Sequence, residues 1–182
     1  MPVYISMLRG INVGGHNLIK MDALRELYTS LKLENPQSYV QSGNVVFRAK
    51  KSDEAALART IQSAIEKTFG FRPEIILRSS AELGNVIATN PFAKRANIEA
   101  NKLNVGFLLT LPSTLTSKKF ESLPNMPEEV HLVGRELYIY FPDGMGRSKL
   151  PPMLDRLLRI PVTFRNWNSV TKMMEIAGRL EV

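Results

Sequence analysis

The stretch Ser38-Tyr39-Val40-Gln41-Ser42-Gly43-Asn44-Val45-Val46-Phe47-Arg48 decides the fold. Residues 38–41 and 45–48 are rich in β-formers, and Ser42-Gly43-Asn44 between them has turn chemistry. The pattern predicts a hairpin. Upstream, residues 3–9 alternate and read as a strand. Residues 21–33 carry apolar side chains at 21, 24, 27, 28 and 31, close to helical period, and Asn35-Pro36 ends that helix. Downstream, Ser52-Asp53 caps a helix that runs to about residue 69, and Gly70 closes it. Residues 73–78 form the next strand, and Ser80 caps a helix ending before Asn90-Pro91. A hairpin flanked by a helix and then a strand on each side is the β-α-β-β-α-β order, the split βαβ or ferredoxin-like plan.

The order then recurs. Residues 103–111 read as a strand and 113–123 as a short helix. Residues 130–133 and 136–141 form a hairpin around Gly134-Arg135, and a helix covers about 150–159 with Pro151 and Pro152 in its first turn. Residues 161–165 make a last strand, and Asn168 caps a final helix to about 180. Ile75-Ile76-Leu77-Arg78-Ser79-Ser80 echoes Pro161-Val162-Thr163-Phe164-Arg165-Asn166, with an arginine at each strand end. The expectation is an α+β protein of two ferredoxin-like subdomains, 1–98 and 99–182, related by internal duplication with a junction near 92–102. The alternative is one α+β sheet without duplication.

Composition narrows the chemistry. The 182 residues include no cysteine and two histidines, His16 and His131. That removes disulfides, thiolate nucleophiles and Cys-ligated metals, and argues against a His-based zinc site. No apolar run approaches the roughly 20 residues that span a bilayer. Met1-Pro2-Val3-Tyr4-Ile5-Ser6 lacks the pattern of a signal peptide, so a cytoplasmic setting is expected. Lys and Arg number 24 against 17 Asp and Glu, a net charge of +7. Residues 1–90 hold 11 cations against 8 acids, and the remainder 13 against 9, so neither half is a dedicated basic domain. The surplus is local: residues 147–172 carry six cations and one acid, Asp155.

Five motifs occur in order: Leu8-Arg9-Gly10-Ile11-Asn12-Val13-Gly14-Gly15; Tyr39-Val40-Gln41-Ser42-Gly43-Asn44-Val45-Val46-Phe47; Asn90-Pro91-Phe92; Pro142-Asp143-Gly144-Met145-Gly146-Arg147-Ser148-Lys149-Leu150; and Arg165-Asn166-Trp167-Asn168-Ser169-Val170-Thr171-Lys172. Together they resemble the uncharacterised, mainly bacterial family called domain of unknown function 1697. The resemblance implies a small cytoplasmic α+β protein of duplicated ferredoxin-like subdomains. It carries no activity, cofactor or catalytic residue. Many members have Lys where this chain has His16.

Each motif has two readings. The glycine loop with Arg9, Asn12, Gly14 and Gly15, supported by Lys20, could cradle an anion on backbone N–H groups. Its spacing matches neither a dinucleotide fingerprint nor a phosphate loop, and the glycines could simply fold the loop over the first strand. Gln41, Ser42 and Asn44 form either a hydrogen-bonding rim or ordinary turn chemistry. Arg147, Ser148 and Lys149 stand before a helix start, where a cation–hydroxyl–cation triplet suits phosphate or carboxylate; Ser148 alternatively is only a cap. Arg165, Asn166 and Trp167, with Thr171 and Lys172 one turn on, could clasp a planar or anionic ligand, or Trp167 could anchor the last helix. Tyr138 and Tyr140 alternate with Leu137, Ile139 and Phe141; they line an open sheet face for base stacking, or that face is covered. Glu128-Glu129 is expected to face solvent, and no acid pair is placed for acid–base work.

These readings favour a non-catalytic module that recognises a phosphate- or nucleotide-like anion, with no metal and no cofactor. The alternatives are an enzyme acting on a phosphorylated small molecule and a nucleic-acid-binding module. No membrane partner is expected.

Overall fold

The computed structural model describes every residue from Met1 to Val182. The chain divides into two compact units, Met1–Asn85 with Thr171–Val182, and Val86–Val170. These limits differ from the expected 1–98 and 99–182, because two helices each run across a unit limit.

In the first unit β1 (Val3–Leu8), α1 (Met21–Ser30), β2 (Glu34–Tyr39), β3 (Asn44–Arg48), α2 (Glu54–Phe69) and β4 (Ile75–Ser79) follow in order, and α3 (Ser80–Ala88) leads out of it. The sheet is antiparallel with order β2-β3-β1-β4. Period-two alternation puts Tyr4 and Leu8 of β1 on one face with Val45, Phe47, Ile75 and Leu77. They pack against Leu24 and Tyr28 of α1 and Ile61 and Ile65 of α2, each side chain of this size adding about 1.5–3 kcal/mol by burial. Ser6 shares that face and is satisfied by the Tyr28 hydroxyl at 2.8 Å and the Val45 carbonyl at 3.2 Å. The opposite face, with Val3, Ile5, Met7, Val46, Ile76 and Arg78, is buried too.

In the second unit β5 (Leu103–Leu108), α4 (Thr114–Glu121), β6 (Glu129–Val133), β7 (Glu136–Tyr140), α5 (Leu150–Leu158) and β8 (Val162–Asn166) form an antiparallel sheet of order β6-β7-β5-β8, and α6 (Trp167–Leu180) follows. Leu108, Leu137, Ile139 and Val162 pack on Leu150, Leu154 and Leu158 of α5. Gly106 is small for a reason: a Cβ there would lie 2.8 Å from the Phe164 ring. The other face, with Val105, Phe107, Tyr138 and Arg165, is also buried. Tyr138 therefore does not line an open face; its hydroxyl donates to the Val86 carbonyl at 2.7 Å and meets Thr89 Oγ1 at 3.1 Å.

The protein is thus a mixed α+β chain with two four-stranded antiparallel sheets, each with helices. Three details differ from expectation. Helix α1 stops at Ser30, because Lys32 turns into the left-handed region, and Asn35-Pro36 belongs to β2. Pro36 is tolerated there because β2 is an edge strand with a register shift between Glu34 and Gln37. The cap of α3 is Ser79, not Ser80: its Oγ accepts from Glu82 N at 3.2 Å while Glu82 Oε2 accepts from Ser79 N at 2.8 Å, a reciprocal capping box. At α6 Asn166, not Asn168, takes the Ser169 N–H at 2.9 Å.

Candidate functional site

In the first unit Asn12 ties the glycine loop to the hairpin turn. At φ +53° its amide nitrogen donates to the Ile19 carbonyl at 3.0 Å and the Gln41 carbonyl at 2.8 Å, and its Oδ1 accepts from Ile19 N at 2.8 Å. Asn17 adds a bond to the Gly10 carbonyl, and Val13 and His16 form an isolated bridge with exposed Gly14 and Gly15 between them. Asn44 is buried and donates to the Tyr39 carbonyl and to Ser42 Oγ. Gly43, at φ +79°, lies against the first strand; a Cβ would sit 2.8 Å from Leu8 Cβ. Arg9 is exposed and its backbone N–H bonds the Glu74 carbonyl. The amides of Asn12 and Asn44 are thus spent on holding two loops together.

The last motif is also committed to the fold. Arg165 is 8% exposed and donates to Thr163 Oγ1 at 3.0 Å and the Phe164 carbonyl at 2.9 Å. Burial pushes its guanidinium pKa down to about 10, so it remains charged at neutral pH. Asn166 is spent on the helix cap, and half-buried Trp167 begins α6. Lys172 pairs with Glu175 at 2.9 Å.

Arg147, Ser148 and Lys149 have a different setting. They line a cavity of about 370 Å³ in the second unit with residues 124–128, Asp143, Gly144, Leu150 and Met153. The chain reaches it from β7 through Gly144, whose φ of +84° favours glycine, and a 3-10 turn at Met145–Arg147. The Ser148 hydroxyl donates to Glu128 Oε1 and accepts from Leu150 N at 3.0 Å, fixing the start of α5. Glu128 therefore does not face solvent free, contrary to the expectation from its sequence position. The side chains of Arg147, Lys149 and Asp143 make no hydrogen bond or ion pair, although the Asp143 charge is felt at Lys102. Two free guanidinium and ammonium groups on one concave surface can hold an anion. The adjacent Glu129 is half-buried, and His131 at 2.9 Å and Arg95 hold its carboxyl below the usual range.

Of the motif residues, the structure thus brings Arg147, Ser148 and Lys149 together at a cavity. Separately it joins Asn12, Gln41, Ser42 and Asn44 as a loop clasp. Asp143, Met126 and Met153 of the cavity carry no site signal in the sequence, and Glu128 reads there as solvent-facing. Asp143 stands in the fourth motif beside a glycine, which points to a turn rather than a site, and no local pattern links Glu128 to Ser148, 20 residues later. No group of three or more His, Asp and Glu residues could hold a metal ion, and no helix is long and apolar enough to cross a membrane.

Comparison with known proteins gives two findings. The model of a family described as "Protein of unknown function (DUF1697)" matches residues 1–138. Among solved structures, the conserved bacterial protein SP0830 from Streptococcus pneumoniae is similar over 98% of this chain and 99% of its own, with a TM-score of 0.78 and 22% identity. That likeness speaks to the fold. No curated protein matches the chain.

Proposed function

We propose that this chain, which belongs to the DUF1697 family, is a non-catalytic module that recognises a phosphate- or nucleotide-like anion at the Arg147–Lys149 cavity. The observation that carries the reading is that Arg147 and Lys149 line one cavity without an ion-pair partner. By contrast Arg25, Arg72, Arg95, Lys102, Lys172 and Arg179 each hold a carboxylate. The non-catalytic part rests on Ser148. Its hydroxyl is held between Glu128 and the Leu150 N–H, an arrangement that serves the start of α5. The test is a thermal-shift screen of inorganic phosphate, sugar phosphates and nucleotides. A ligand at 100 times its Kd adds about 2.7 kcal/mol of stability and raises the Tm. Arg147→Ala should abolish the shift while Lys172→Ala leaves it. If Arg147→Ala keeps every shift, the site is elsewhere.

We also infer that the two units are ferredoxin-like copies from an internal duplication. Matching registers support this. Val3 pairs with Arg48 as Leu103 pairs with Tyr140; Leu8 pairs with Ile75 as Leu108 pairs with Val162; Ile5 pairs with Arg78 as Val105 pairs with Arg165. Each pattern sets a buried arginine one residue before the cap of the next helix.

A further inference from the structure

We propose that the cavity takes a mononucleotide: one phosphate joined through a sugar to a flat, largely apolar base. The proposal rests on the anion reading above and extends it to the rest of the ligand. Size comes first. At about 370 Å³ the cavity lies at the small end of the roughly 300–1,000 Å³ typical of ligand sites. It suits one compact molecule rather than a dinucleotide.

The chemistry of the wall comes next. Met126, Met153 and Pro124 supply an apolar surface beside the two cations. A bare phosphate would leave that surface in water, whereas an aromatic base would cover it, and thioether sulfurs make favourable contacts with aromatic rings. Asp143 contributes a carboxylate with no hydrogen bond or close ion pair, an acceptor for ribose hydroxyls or a base amino group. Charge sets the third limit. Glu128 and Asp143 formally offset Arg147 and Lys149, so the cavity is neutral overall. A single phosphate placed on the cations gains from them, while a di- or triphosphate brings further negative charge toward the two carboxylates.

The experiment is isothermal titration of the full chain with inorganic phosphate, ribose 5-phosphate, the four common nucleoside monophosphates and adenosine triphosphate. At least one monophosphate should bind about tenfold or more tighter than phosphate, ribose 5-phosphate and the triphosphate. Met153→Gln should lower that affinity about tenfold and leave the response to phosphate and ribose 5-phosphate unchanged. Met126→Gln serves the same purpose if the first variant does not fold. Equal binding of ribose 5-phosphate and every monophosphate, or tightest binding of the triphosphate, would overturn the mononucleotide and leave the anion site standing. No binding of any of these ligands, or binding that survives Arg147→Ala with Lys149→Ala, would overturn both.

Discussion

Asn12 and Arg147 show how differently two polar residues of the motifs are used. Asn12 spends its whole amide on three bonds between the glycine loop, Ile19 and the hairpin turn. Asn12→Ala would leave two carbonyls and one N–H seeking water in a partly buried place. At about 1 kcal/mol per lost bond it should destabilise by about 2–3 kcal/mol, read from urea unfolding. Arg147→Ala removes no bond and should shift the urea midpoint little. Equal losses for the two variants would contradict this division between a fold residue and a ligand residue.

The helix starts are the most instructive elements. Ser79 caps α3 through a reciprocal box with Glu82, and Asn166 caps α6 by accepting the Ser169 N–H. Each cap is the last residue of a strand, so strand and helix meet without a linker. Ser79→Ala and Asn166→Ala should each cost about 1 kcal/mol by chemical denaturation, while Ser80→Ala should lack the capping part of that loss. Sequence alone favours caps one or two residues later, because Ser80 and Asn168 are equally good cap types. Only the backbone bonds decide among neighbours. The end of α1 differs for a related reason: Asn35-Pro36 looks like a helix stop, yet it lies at a register shift in an edge strand.

For the molecule as a whole, element order was legible because hairpins and helix periods are local signals. The hairpin at 38–48 and the repeated arginine before a cap already outlined two similar sheets. Burial of both sheet faces was legible only as one of two readings at the tyrosines, since alternation says which residues share a face and not what covers it. Arg165 shows the consequence. As a charged residue it reads as surface, but it lies on the buried face with Tyr138 and Val105. The cavity was half legible. Arg147, Ser148 and Lys149 are contiguous, whereas Glu128 and Met126 arrive from the segment between α4 and β6. The local cation surplus of residues 147–172 thus divides: Arg147 and Lys149 are free at a cavity, Arg156 and Arg159 are exposed, Arg165 is buried and Lys172 is paired.

The central claim concerns where an anion binds, and amide chemical-shift mapping by NMR tests it most directly. Labelled full-length protein is titrated with a nucleoside monophosphate. The account predicts the largest shifts at residues 124–128 and 143–150, with the glycine loop at 10–19 nearly still. Largest shifts at that loop, or none anywhere, would contradict it.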